Sequence, residues 1–288
     1  MESGFLFCSR ESIEDADIVL AGFPYDCTAS FRAGARFGPG DIRTYTGNGL
    51  EPFSFYFGED LEDVNFFDYG DMDPLYGSPE EMVKLYQKSA AEFIRNNKIL
   101  IAIGGEHLIT LPIFQAASEK YGKFTMLHLD AHADLADQLY DSKLSHGTVM
   151  ARCLDNGLHK LIQYGVRSGD RSEYEKRQND SRIIPAIDIE EIADNLETGE
   201  KLYLTIDLDF FDPAFVPGTG TPEAGGADFG EYIKIFKMLR KKNVQLIGAD
   251  LVELAPEIDT SRNSTIFAGK VLRELILTVD QLRLHRNM

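Results

Sequence analysis

The chain has no tryptophan, only three cysteines among 288 residues, and 29 basic residues against 47 acidic ones. The shortage of basic residues leaves a net charge of −18. That argues against a nucleic-acid partner, which would need a basic face. Cys8, Cys27 and Cys153 are widely separated, odd in number and without CxxC spacing, so a disulfide framework is not expected and a reducing compartment is. No apolar run approaches the roughly 20 residues that cross a bilayer. Residues 1–7 lack the basic start and long apolar segment of a signal peptide. No membrane partner is therefore expected, and the chain reads as cytoplasmic. An acidic surface is ordinary in soluble proteins; the same field would also attract a small cationic substrate.

What is present is an alternation of short apolar runs and helical patterns. The runs occupy residues 18–21, 99–103, 125–129, 161–164, 202–206 and 244–251. Most are apolar throughout, as strands covered on both faces are. Between them, Ser78-Pro79-Glu80-Glu81 is a helix start with a serine cap, proline in the first turn and glutamate three residues after the cap. Met82, Leu85, Tyr86, Phe93 and Ile94 then recur at helical spacing. Residues 228–242 and 266–284 repeat that pattern. The βαβ alternation predicts an α/β fold: a mostly parallel sheet with helices on both faces, in a single domain over residues 1–288. The 43% hydrophobic and 26% charged content fits a soluble enzyme.

The chemistry gathers at strand ends. Asp130-Ala131-His132-Ala133-Asp134 follows one run, Asp207-Leu208-Asp209 another, and Gly104-Gly105-Glu106-His107 a third. Alternate residues of an extended chain face the same side, so Asp130, His132 and Asp134 can converge on one point. Taken singly, DxHxD is moderately specific, Asp207-x-Asp209 is weak, and GGEH could be a tight turn. Together, charged groups at three strand ends are hard to explain as packing. Carboxylate and imidazole donors suit Mn²⁺, Fe²⁺, Co²⁺ or Zn²⁺, and the absence of cysteine argues against structural zinc. Four clustered aspartates would repel one another, and two divalent ions would balance them. Such paired ions would share a hydroxide poised for attack.

GGEH, DAHAD and the run Thr205-Ile206-Asp207-Leu208-Asp209-Phe210-Phe211-Asp212-Pro213, in that order, resemble the motif set of the ureohydrolases, the arginase–agmatinase family. Residues 34–43, Ser145-His146-Gly147-Thr148, residues 218–223 and residues 250–256 extend the resemblance over nearly the whole chain. It implies a three-layer α/β/α fold with an eight-stranded parallel sheet, two Mn²⁺ ions, and hydrolysis of a guanidino compound to urea and an amine. It also implies that one ion is held by His107, Asp130, Asp134 and Asp207, and the other by Asp130, His132, Asp207 and Asp209. His146 matches a proton-shuttling histidine, and Glu253 matches the glutamate that grips the guanidinium. On residue type alone, His146 could be a polar loop histidine and Glu253 a surface or capping carboxylate. His128 and Cys153 lie near motifs without an assigned role. The family further implies a homo-oligomer, trimer or hexamer.

Asp134 is followed by Leu135-Ala136-Asp137-Gln138, without the asparagine that arginases place where an α-amino acid head group binds. Gly218-Thr219-Gly220-Thr221-Pro222-Glu223 is similar to agmatinases, although Ala224 replaces their usual proline. The expected substrate is therefore agmatine, a small dication, giving putrescine and urea. Guanidinobutyrase activity is the alternative. It would need a cationic residue in the tail pocket, for which Lys143 and Arg171 are candidates. Formimidoylglutamate hydrolysis fits less well. A non-catalytic regulatory homologue would be expected to lose metal ligands, and all six positions are filled.

Overall fold

The computed structural model describes residues 10–284, so Cys8 and the N-terminal stretch lie outside the described residues. The strands are β1 (Ile18–Phe23), β2 (Phe53–Ser54), β3 (Glu59–Asp60), β4 (Phe66–Asp71), β5 (Ile99–Gly104), β6 (Thr125–Leu129), β7 (Lys160–Tyr164), β8 (Ile183–Ala186), β9 (Lys201–Asp207) and β10 (Gln245–Val252). β2 and β3 form a small antiparallel pair. The other eight make one sheet in the order β4-β1-β5-β10-β9-β6-β7-β8. Every pairing in it is parallel.

β1, β5 and β6 are buried at every position, so their residues are apolar almost throughout. Alternate side chains still separate into two cores. Ile18, Leu20, Ile101 and Leu204 pack on one face with α1 (Gly38–Gly49), α6 (Ile189–Asp194), α7 (Phe229–Lys242) and α8 (Asn263–Leu284). Val19, Ala21, Leu100 and Tyr203 pack on the other with α2 (Pro79–Arg95), α3 (Thr110–Tyr121) and α4 (Val149–Asp155). α5 (Arg171–Asn179) buries none of its residues and lies beside β8. The fold is thus a three-layer α/β/α arrangement.

Ser78 caps α2 by accepting from the Glu81 amide at 3.3 Å, but its hydroxyl goes to Glu80 at 2.8 Å. The helix over 266–284 begins three residues earlier, at Asn263. Two strands of the eight-stranded sheet have no counterpart among the apolar runs, and both are its edges. β4 is half-buried and interrupted by Asp68 and Asp71, and β8 carries Pro185, which an edge strand tolerates.

Chain order and sheet order differ in one consequential way. After β5 the chain crosses to β6, runs outward through β7 and β8, then returns to fill the gap with β9 and β10. The connections leaving β6 and β9 therefore run in opposite directions. The crevice at their C-terminal ends is a topological switch point, where open α/β sheets keep ligands. Leu129 pairs with Ile206 across it, so Asp130 and Asp207 emerge side by side.

Candidate metal centre

Four neighbouring strand ends build the centre. β5 delivers His107 through Gly104-Gly105, and a Cβ on Gly105 would lie 1.9 Å from the Tyr25 carbonyl oxygen. Only glycine admits that approach. At the end of β6, Asp130 Oδ1 accepts from the His132 amide at 2.6 Å. At the end of β9, Asp207 Oδ1 accepts from the Asp209 amide at 2.8 Å. The two motifs turn alike: the first aspartate captures the amide two residues on, which fixes the next ligand-type side chain. β10 lies between β5 and β9 and delivers Glu253. Asp134 and Glu253 both have left-handed backbones, with φ of 53° and 67°. Outside glycine this costs on the order of 1 kcal/mol or more and persists where surroundings impose it.

The structure brings His107, Asp130, His132, Asp134, Asp207 and Asp209 together. His107 Nδ1 lies 3.0 Å from Asp130, 3.1 Å from Asp134 and 3.3 Å from Asp207. His132 Nδ1 lies 2.9 Å from Asp209 and 3.6 Å from Asp130. Donor atoms of His107, His128, Asp130 and Asp134 fall within 4.8 Å of one another, as do those of Asp130, His132 and Asp209. Asp130 belongs to both groups.

This donor set fits metal. His107 Nε2 is 2.9 Å from Thr205 Oγ1, whose hydroxyl donates to Asp250 at 2.6 Å. With its proton on Nε2, His107 turns the Nδ1 lone pair toward three carboxylates. That buried nitrogen makes no hydrogen bond of good geometry. A bound cation, or protons in its absence, reconciles those lone pairs.

The electrostatics agree. Burial, then Asp209 and Asp130, push the Asp207 carboxyl well above its ordinary range. Burial and Asp130 push Asp209 up to about 6. Asp130 resists its own burial because His128, His107 and His132 hold it well below the usual range. Burial would lower His132, yet Asp130 and Asp209 push it up to about 12. Without metal, protons take the place of the missing positive charge.

A cavity of about 200 Å³ opens onto this cluster, lined by His132, Asp134, Asp207, His146, Glu173 and Glu253 among others. His146 Nε2 is 3.1 Å from Ser30 Oγ, and its amide donates to Thr28 Oγ1 at 3.2 Å. Burial lowers its pKa below the ordinary value. Glu253 accepts from the His107 amide at 2.7 Å, and burial followed by Glu106 pushes its carboxyl well up. Neither Lys143 nor Arg171 is among the cavity's lining residues.

Several contributors escaped sequence reasoning. Thr28 and Ser30 are remote in sequence and reach His146 only through the fold. Glu106, fully buried, receives the Thr28 amide at 3.0 Å and its hydroxyl. Arg167 donates to the carbonyls of Asp209, Glu223, Ala224 and Gly165, pinning the loops beside the centre. A signal did exist for Thr205 and His128: each stands two residues before a motif aspartate, on the same strand face.

The sequence model described as "Arginase family" matches residues 16–278. An agmatinase of Halalkalibacterium halodurans is 38% identical over 281 residues, 96% of each chain. A Clostridium difficile protein assigned to the agmatinases has a crystal structure that superposes with a TM-score of 0.89. It is 40% identical, covering 93% of this chain and 99% of that one. A guanidinobutyrase of Pseudomonas aeruginosa is 30% identical, over 93% of this chain and 88% of the relative. The chain belongs to the arginase family. It is an enzyme of the ureohydrolase class and resembles agmatinases over nearly its whole length.

Proposed function

We propose that this enzyme hydrolyses agmatine to putrescine and urea with two Mn²⁺ ions. His107, Asp130, Asp134 and Asp207 would hold one, and Asp130, His132, Asp207 and Asp209 the other. The oxygen-rich donor set with two imidazoles suits manganese. When bound, the metal pair supplies a water made nucleophilic at neutral pH. The observation that carries the reading is His107 Nδ1 facing three carboxylates beneath a cavity walled by Glu253 and His146.

The protein's own groups do the rest. Glu253 can accept two N–H bonds from the planar guanidinium and so orient its central carbon. Burial and then Glu106 hold its carboxyl above the ordinary range, and an entering cation favours its charged form. Attack of water at that carbon gives a tetrahedral centre, and the departing amine must gain a proton. His146 stands on the cavity wall, fixed by Ser30 and Thr28, and carries that proton. Urea and the protonated amine leave.

The far end of the substrate decides the subfamily. Glu173 adds a carboxylate to the cavity wall beyond the candidate ligands and Glu253. A primary ammonium, charged at neutral pH, is favoured there over a carboxylate. The second reading, a guanidinobutyrase, has one observation in its favour. Arg32 lines an adjoining crevice with His146 and Glu253, although its Nε and Nη2 already donate to the carbonyls of Gly220 and Thr219. Urea release from agmatine, arginine and 4-guanidinobutyrate with Mn²⁺ tests the choice. Agmatine should show by far the highest kcat/KM. A higher value for either rival would overturn the substrate and leave the class standing. A homo-oligomer and a cytoplasmic location belong to the same proposal. Among the described residues, no helix is long and apolar enough to cross a membrane.

A further inference from the structure

His128 is fully buried on β6, and its Nε2 lies 2.7 Å from Asp130 Oδ2. Its other ring nitrogen, Nδ1, lies 3.0 Å from Gln163 Nε2. Gln163 is the residue paired with His128 on the adjacent strand β7. Two further contacts fix which way the Gln163 amide points. Its Nε2 donates to the Ala133 carbonyl at 2.8 Å, and its Oε1 accepts from Arg177 Nε at 3.1 Å. A carbonyl can only accept and a guanidinium can only donate. A flipped amide would set oxygen against oxygen and N–H against N–H. The Gln163 amide therefore donates to His128 Nδ1, and the ring proton sits on Nε2.

This assignment separates two roles that position alone leaves open. His128 lies close enough to His107, Asp130 and Asp134 to count as a fourth ligand. A histidine that carries its proton on Nε2 and accepts at Nδ1 has no lone pair left for a cation. It is a donor to Asp130. Asp130 then has each oxygen tied once, Oδ1 to the His132 amide and Oδ2 to His128. Two donors on opposite oxygens fix the plane of the carboxylate, and each oxygen keeps a lone pair for an ion.

We propose that His128 is a positioning residue for the metal pair, locked as its Nε2–H tautomer by the chain Arg177–Gln163–His128, and that its hydrogen bond sets the rotation of Asp130 so that this carboxylate can serve two ions at once. The inference rests on the reading of Asp130 as a shared ligand. Partners of this kind orient ligands and change metal affinity by about 10–100-fold when removed.

Three variants of the full chain test it: His128→Phe, which keeps a ring but loses the donor; His128→Gln, which restores an amide donor of similar reach; and Gln163→Leu, which removes the lock without touching Asp130. Each is stripped with chelator and titrated with Mn²⁺, with free ion followed by electron paramagnetic resonance, and KM for agmatine is measured at saturating Mn²⁺. Wild type should bind two ions per chain. His128→Phe should weaken at least one of them by about 10–100-fold, with KM nearly unchanged. His128→Gln should recover most of the loss, and Gln163→Leu should fall between. Wild-type affinity in His128→Phe would overturn the proposal. So would equal losses in the Phe and Gln variants with Gln163→Leu unaffected, the pattern of a lost ligand. Should stripped His128→Phe fail to fold, as read by circular dichroism, unchanged affinity in Gln163→Leu would overturn the proposal, and weakened affinity would support it. A wild type that takes up no Mn²⁺ would overturn both this inference and the metal reading beneath it.

Discussion

Replacing Asp209 with asparagine should have opposite effects on stability with and without metal. Asp209 is fully buried beside Asp130 and titrates at about 6 instead of its ordinary 3.8. That difference makes the ionised form about 3 kcal/mol less favourable in the folded chain, at roughly 1.4 kcal/mol per decade. The unfolded chain loses this proton near 3.8 and the folded chain near 6, so the folded state binds more protons between them. Stability is therefore lost as pH rises through that window, and the whole deficit is present at pH 7.5. Asparagine carries no charge to bury, and its Oδ1 can still accept from the Ala131 amide, as Asp209 does at 3.1 Å. In chelator at pH 7.5 the Asp209→Asn protein should thus be up to about 3 kcal/mol more stable. For a chain of this size that raises Tm by roughly 5 °C. In Mn²⁺ the order should reverse or close. Wild type gains about 2.7 kcal/mol per site at a hundredfold excess over Kd, and the variant, short of one anionic ligand, gains less. Calorimetric melts in chelator and in Mn²⁺, at pH 7.5 and pH 4, read all of this. A variant that melts at or below wild type in chelator at pH 7.5 would refute the electrostatic account. So would an advantage that persists undiminished at pH 4.

His146→Asn should lower kcat by roughly 10²–10⁴-fold, the usual worth of a positioned acid–base group, while metal analysis still finds two ions; an unchanged kcat across neutral pH would move the proton transfer to another residue. Glu253→Gln should lower kcat/KM by roughly 10–100-fold, the loss expected from one charge-assisted hydrogen-bonded contact, without emptying the metal site. Gly105→Ala forces a Cβ to 1.9 Å from the Tyr25 carbonyl, and such overpacking costs about 3 kcal/mol. It should lower Tm and Mn²⁺ affinity together, because the same turn carries His107; wild-type values for both would show that the turn can relax.

The sheet core was legible because burial on both faces leaves a nearly continuous apolar signal. The six runs noted in the sequence became β1, β5, β6, β7, β9 and β10, all interior to the sheet. The signal fails where burial fails. β4 meets solvent along one side, so Asp68, Tyr69 and Asp71 interrupt its pattern, and Pro185 disguises β8. Neither strand carries a candidate ligand, so missing them left the centre intact.

The candidate site was legible to the extent that it is local. DAHAD and DLD are short because each first aspartate captures an amide two residues on, and that turn needs no distant partner. What surrounds them is built by register, which a linear reading does not contain. Gln163 meets His128 because β7 pairs with β6 in one register, and a slip of one residue would turn Gln163 to the other face. Asp250 meets Thr205 in the same way across β10 and β9. The order of strands matters as much. β9 and β10 enter the sheet last in sequence yet lie at its centre, between β5 and β6. Only that insertion sets Asp207 beside Asp130 and Glu253 above His107. The motifs therefore state which groups are present, and the return of the chain into the gap decides that they meet at one candidate metal centre.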